Sequence, residues 1–162
     1  MGLHTVDIQI EAPYQCRVHT EALQEAAEAT LQYQHIEEPC ELVVVVTGDE
    51  TLHHLNRRHR GVDAPTDVLA FPHQTQGRAP FVFVDAPGFP CFLGDVIISF
   101  PRAEAQALEA DNALLAELQL LVIHGVLHLL GYDDETESER TRMWQAQQDV
   151  LDAIGVEVHL PG

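Results

Sequence analysis

The chain has 162 residues, a formal net charge of −18 and eight cationic side chains, all of them arginine. A length of this order suits one domain with one core, so residues 1–162 are expected to form a single unit. Acidity of this degree argues against a general nucleic-acid-coating function unless the arginines cluster or a bound metal supplies positive charge.

In chain order, His4 to Ile10 alternates polar and apolar residues and predicts a strand. Residues 19–35, rich in Ala, Glu, Gln and Leu, predict a helix. Glu41 to Val46 carries Leu-Val-Val-Val-Val and predicts a buried strand. Thr47 and Glu50 have capping-box spacing and predict a short helix over Asp49 to His59. Gly61 to Thr66 reads as a turn, Val68 to Phe71 as a short strand closed by Pro72, and 73–90 as a loop or irregular hairpin. Cys91 to Ser99 predicts another strand, with Gly94-Asp95 a bulge or close backbone approach on an edge strand. Helices are predicted over 101–110, 112–130 and 136–154, and Val156 to Leu160 as a terminal strand. This order predicts an α+β or three-layer fold, a small sheet with helices packed on it.

No apolar run is long enough to cross a bilayer. The N-terminus lacks the basic-then-apolar layout of a signal peptide. A cytoplasmic protein is the default expectation. Cys16, Cys40 and Cys91 have no CxxC spacing and read as buried small residues or free thiols rather than metal ligands.

The informative segment runs from Leu120 to Asp134, Leu-Leu-Val-Ile-His-Gly-Val-Leu-His-Leu-Leu-Gly-Tyr-Asp-Asp. His124 and His128 are four apart, which puts both imidazoles on one face of a helix, one turn from each other. Gly131 offers a left-handed C-cap that turns the chain back toward them. Asp134 then stands as a third, anionic ligand, with Asp133 and Glu135 as weaker alternatives. Two imidazoles and a carboxylate suit zinc with a fourth position open for water, and zinc acidifies such a water. Against this, a His pair at this spacing is common on amphipathic helices without any metal. The helix here is strongly apolar, however, and two unpaired imidazoles in it would be costly to bury. A zinc protease of the HExxH type needs Glu after the first His. Gly125 stands there instead, which disfavours a peptidase. Phosphodiester hydrolysis leans more on the metal and on cations that neutralise phosphate charge.

Such a cation lies upstream. Leu55-Asn-Arg57-Arg58-His59-Arg60 holds three arginines within four residues. Arg57 and Arg58 read as helix C-terminal charge. Arg60, at the loop, is the better candidate to grip a phosphate. A locally positive face near Arg57, Arg58, Arg60 and the metal is expected.

Three blocks, LNRRHRGVDAPTDVLAFP (Leu55 to Pro72), LGDVIIS (Leu93 to Ser99) and HGVLHLLGYDD (His124 to Asp134), resemble the YbeY-type bacterial endoribonucleases, also called rRNA maturation factors. The helix from Met143 to Gly155 also fits. The resemblance implies a small α+β metallohydrolase with a metzincin-like zinc helix and about four strands. It implies cleavage of single-stranded RNA, maturation of the 3′ end of small-subunit ribosomal RNA, and ribosome quality control. It places His124 and His128 on the first two zinc ligands and Arg60 on an arginine proposed to act on the phosphate. The family typically ends this motif in Tyr-Asp-His. Asp134 replaces the third histidine, which retains three ligands but weakens the Lewis acid and favours a harder metal. Non-catalytic ribosome association with a structural metal is the rival expectation.

Asp67 and Thr66 are expected to tie the loop below the site. His53, His54, His59 and His73 are expected at the surface or in loops, and Met143 and Trp144 in helix packing.

Overall fold

The computed structural model describes residues 4–73 and 91–159. Its elements are β1 (Thr5–Ile10), a 3-10 segment (Ala12–Arg17), α1 (Thr20–Tyr33), β2 (Cys40–Thr47), α2 (Asp49–Arg60), β3 (Val68–Pro72), β4 (Cys91–Ser99), α3 (Phe100–Ala110), α4 (Leu114–Leu129) and α5 (Glu137–Ile154). One four-stranded sheet runs in the order β1-β2-β4-β3. β1 and β4 flank β2 in parallel, and β3 lies antiparallel to β4. The α+β expectation with about four strands holds.

The two inner strands carry the β-branched runs Val43-Val44-Val45-Val46 and Val96-Ile97-Ile98, which suit a pleated surface covered by helices. Val44, Val46, Val96 and Ile98 are fully buried, each contributing roughly 1.5–3 kcal/mol relative to exposure. α4 lies at the centre of the helical layer and packs against α1, α3, α5, β3 and β4. A helix surrounded in this way must be apolar on most sides, and eleven of its sixteen residues are buried. No single helix among the described residues is long and apolar enough to cross a membrane.

Three local expectations need correction. The capping box at Thr47 and Glu50 does not form. Thr47 is still the last residue of β2, and its hydroxyl donates to Glu11 Oε1 at 3.2 Å, so Gly48 caps α2 without a side-chain bond. A capping box forms at α5 instead, where Thr136 and Glu139 exchange side-chain-to-backbone bonds of 3.0 Å. Gly94-Asp95 lies on an inner strand, not an edge. The close approach itself is real: Gly94 takes φ 139°, and a Cβ there would collide with the Phe71 carbonyl of β3. The register skips Leu93 between Glu41↔Phe92 and Leu42↔Gly94, a bulge at the same place. Finally, residues 156–159 form no strand. Asn112 clasps the His159 backbone in both directions, taking the bonds a ladder would use. Leu160 and residues 74–90 lie outside the described residues.

The 3-10 segment was not anticipated. Tyr14 stacks on Phe100 with ring centroids 4.6 Å apart, and Arg17 lies over the same ring. Tertiary packing therefore orders a stretch whose local pattern is silent. Cys40 and Cys91, distant in sequence, are register partners on β2 and β4. Burial, followed by the neighbouring Cys91, pushes the Cys40 thiol up to about 11.

Candidate metal centre

His124 and His128 stand on the last two turns of α4, and each is oriented by its Nδ1 atom. His124 Nδ1 donates to Gln147 Oε1 of α5 at 2.6 Å. His128 Nδ1 donates to the Tyr132 carbonyl at 3.0 Å. Both acceptors are oxygens that can only accept, so both Nε2 atoms carry lone pairs. These two lone pairs face each other 3.1 Å apart. Two acceptors aimed at one another are unfavourable unless a proton or a cation lies between them. For two imidazoles on a tetrahedral zinc the separation is about 3.3 Å, from zinc–nitrogen distances of about 2.0–2.1 Å. Desolvation, then His124, holds the His128 pKa below the ordinary histidine value, which favours the neutral form a ligand needs.

The chain reaches the third member through a Schellman turn. Tyr132 N donates to Leu127 O and Gly131 N to His128 O, both at 3.0 Å, with Gly131 at φ 104°. Only glycine takes that conformation cheaply. The turn is pinned further along. The Tyr132 hydroxyl accepts from Gln34 Nε2 at 3.0 Å, and the Arg142 guanidinium lies over its ring. Asp133 Oδ1 accepts from Asp134 N at 2.8 Å. Arg140 donates to the carbonyls of Asp134 and Glu135 at 3.2 and 3.3 Å. Asp134 Oδ2 lies 3.8 Å from His128 Nε2. Donor atoms of His124, His128 and Asp134 all lie within 4.8 Å of one another. Asp133 is committed to the backbone and Glu135 stands outside the cluster, so the three residues expected from the sequence are the ones brought together. The donor set and its paired Nε2 atoms fit a divalent transition ion.

A groove of about 580 Å³ runs between this cluster and the edge strand β3, lined by Thr66 to Ala70, Gly131 to Glu135, His124, His128 and Arg60. Arg60 ends α2 and enters the groove. Arg57 and Arg58 do not line it, and Arg57 acts instead on Asp63, helping His53 to hold that carboxyl low. Among the described residues the groove holds one arginine against the carboxylates of Asp67, Asp133, Asp134 and Glu135. The described protein groups therefore do not supply the expected positive face. Asp67 Oδ2 accepts from Gln106 and its carbonyl from Ser99 N, so it ties the loop to α3 as expected.

Gly125 faces the sheet, and a Cβ there would strike the Val96 side chain. Glutamate at this position is thus excluded by packing, since α4 and β4 approach too closely. Of the remaining histidines, His53 pairs with Asp63 at 2.7 Å, His59 lies edge-on to Phe71 and His73 edge-on to Phe92. None joins the cluster.

The family model described as endoribonuclease YbeY matches residues 7–155. The chain belongs to this family. Among curated YbeY endoribonucleases, that of Roseiflexus sp. (strain RS-1) is 42% identical over 153 residues, covering 94% of each chain. That of Chloroflexus aurantiacus is 39% identical over 155 residues, covering 95% of this chain and 97% of its own. That of Brevibacillus brevis is 45% identical over 120 residues. A solved Thermotoga maritima protein, TM1509, shares the fold with a TM-score of 0.57 at 23% identity, over 93% of this chain and 92% of its own.

Gln147 and Arg140 were missed by the sequence reading. Gln147 could have been found, because it is a polar residue on the buried stripe Met143, Ala146, Val150, Leu151 of α5, where a polar group needs a partner. Arg140 carries no such signal.

Proposed function

We propose that this chain is a metal-dependent endoribonuclease of single-stranded RNA, acting in the cytoplasm as one domain on the 3′ end of small-subunit ribosomal RNA and in ribosome quality control. Membership of the YbeY family supports the RNA substrate. The observation that carries the metal dependence is the pair of Nε2 lone pairs 3.1 Å apart, each fixed by a bond at the far side of its ring.

In this reading His124, His128 and Asp134 hold one zinc ion, whose chemistry when bound is to acidify water and polarise a phosphoryl oxygen. Gln147 and the Tyr132 carbonyl hold the imidazoles in the tautomer that presents Nε2. Arg60 reaches the same groove and makes no hydrogen bond or ion pair with the described residues, so its guanidinium is available to a phosphate. The strand edge of β3 forms the opposite wall and orients an extended single strand. Peptide hydrolysis through a glutamate base is disfavoured, because Gly125 has no room for one.

Protein purified without added metal is expected to carry one equivalent of zinc and to cut an unstructured oligoribonucleotide but not a duplex. Chelation should abolish cutting and zinc restore it. His124→Ala should lose the ion, Asp134→Ala should bind it more weakly, and Asp134→His should retain it. Full zinc binding by Asp134→Ala would remove the carboxylate from the site. A folded, zinc-loaded sample that binds ribosomes and cuts no RNA would establish the non-catalytic alternative.

A further inference from the structure

A second cavity, of about 410 Å³, adjoins the metal centre between α3, α4 and α5. It shares Asp67, His124 and Asp134 with the groove, so the two spaces meet at the candidate ligands. Their chemistry differs. The walls of the second cavity include Leu120 and Leu121 of α4 and Met143 and Trp144 of α5. Met143 is buried, but Trp144 keeps 38% of its surface exposed, unusual for a residue beside the core. Trp144 is covered over most of its surface, in keeping with helix packing, and it also borders the cavity.

We propose that this cavity receives one nucleobase of the RNA, adjacent to the phosphate held in the groove, and that it favours bases bearing an amino group over uracil. The inference rests on the endoribonuclease reading and names the substrate feature that the site selects.

The groove, which Arg60 enters with no hydrogen bond or ion pair to the described residues, is the better place for the phosphate than this cavity. Asp67, Glu109, Glu117 and Asp134 line the cavity, and its one arginine, Arg140, is already engaged by two backbone carbonyls. The part of a nucleotide that fits such a space is the uncharged, flat one. An exposed indole offers a stacking face that tolerates any base, and the volume lies within the about 300–1,000 Å³ typical of small-ligand sites.

The polar atoms set the preference. Glu117, the one acidic residue of α4, is 6% exposed. Burial holds its carboxyl above the usual range, with Asn112 opposing the shift and Asp67 adding to it. Gln106 spends an amide N–H on Asp67, which leaves its carbonyl oxygen as a further acceptor. Gln147 commits its Oε1 to His124. An acceptor-rich lining suits the exocyclic amino groups of adenine, cytosine and guanine. Uracil presents its N–H between two carbonyl oxygens, which these acceptors repel.

Trp144 is the only tryptophan in the chain, so its fluorescence reports occupancy directly. The zinc-loaded full-length protein is titrated with AMP, CMP, GMP and UMP. Saturable quenching is expected with the first three and at least about fivefold weaker binding with UMP. In parallel, oligoribonucleotides that differ at one position are cleaved. Glu117→Gln should erase the discrimination against uridine next to the cut. Trp144→Ala should raise KM about tenfold, and Trp144→Phe should recover part of that loss. RNA cleavage without quenching by any mononucleotide would overturn the pocket and leave the endoribonuclease reading standing. Equal quenching by all four, unchanged in Glu117→Gln, would overturn the selectivity. Base-selective quenching in a protein that cuts no RNA would support the pocket and overturn the endoribonuclease reading.

Discussion

Gln147 Oε1 accepts a hydrogen bond of 2.6 Å from His124 Nδ1, joining α5 to the ring that carries the candidate metal bond. The contact fixes both the tautomer and the plane of His124. Partners of this kind are typically worth about 10–100-fold in metal affinity. Gln147→Leu, which keeps the volume and loses the acceptor, should weaken zinc binding by about that factor, whereas Gln147→Glu, still an acceptor, should keep it tight. Competition against a chromophoric chelator measures both. Equal affinity in Gln147→Leu and the parent would show that the bond does not position the ring.

The division between what sequence could and could not reveal follows from the range of the interactions. His124, His128, Gly131 and Asp134 lie within eleven residues, and a helix followed by a Schellman turn is enough to make them converge. Helix periodicity and one glycine express that locally. The strands of β2 and β4 were legible from their β-branched runs. What failed was non-local. Thr47 has cap spacing, but Glu11, thirty-six residues away, takes its hydroxyl. That Trp144 also borders a cavity depends on α3, α4 and α5 coming together. Arg140 reads as one of many surface charges, and its role depends on a loop whose carbonyls point back at it.

The groove offers RNA one described arginine against four carboxylates, on a chain of net charge −18. Phosphate affinity should therefore depend on the ion and on Arg60. Single-strand binding loses affinity with salt at a log–log slope of about −0.7 per neutralised phosphate. With only two or three such contacts the slope should be shallow, about −2. Arg60→Ala should flatten it by roughly 0.7 and cut the cleavage rate on the order of a hundredfold, while zinc content stays at that of the parent. Filter binding at several salt concentrations and single-turnover cleavage supply the two numbers. Cleavage unaffected by Arg60→Ala would remove its role at the phosphate.

Gly125, between the two histidines on α4, lets that helix sit against Val96 of β4. Gly125→Ala adds a methyl group where the Val96 side chain already lies. Overpacking of this kind costs about 1–3 kcal/mol. The gain in helix propensity on replacing glycine by alanine, about 1 kcal/mol, offsets part of it. Thermal unfolding should show a lower Tm for Gly125→Ala than for the parent. Gly125→Ala combined with Val96→Ala should recover zinc affinity lost through displacement of α4. An unchanged Tm and full zinc affinity in Gly125→Ala would mean that the helix shifts off the sheet at no cost to the site.

Glu117 gives the fold a pH dependence whose sign follows from its burial. Desolvation and Asp67 raise its carboxyl above the ordinary value of 4.5, and Asn112 opposes them only in part. The folded chain therefore holds this proton more tightly than the unfolded chain does. The stabilisation from that proton is fully present below the unfolded pKa and is lost as pH rises through the folded one. At neutral pH the charged carboxylate is a net cost, with no cation beside it among its described contacts. Glu117→Gln keeps the shape and removes the charge. Its Tm should match that of the parent near pH 4 and exceed it increasingly toward pH 7. The comparison belongs in zinc-free protein, so that metal release at low pH does not enter the difference. A Tm difference that stays constant across this window, or that favours the parent at pH 7, would show that Glu117 is satisfied in its ionised form, and would take with it the argument that the cavity holds an acceptor waiting for a donor.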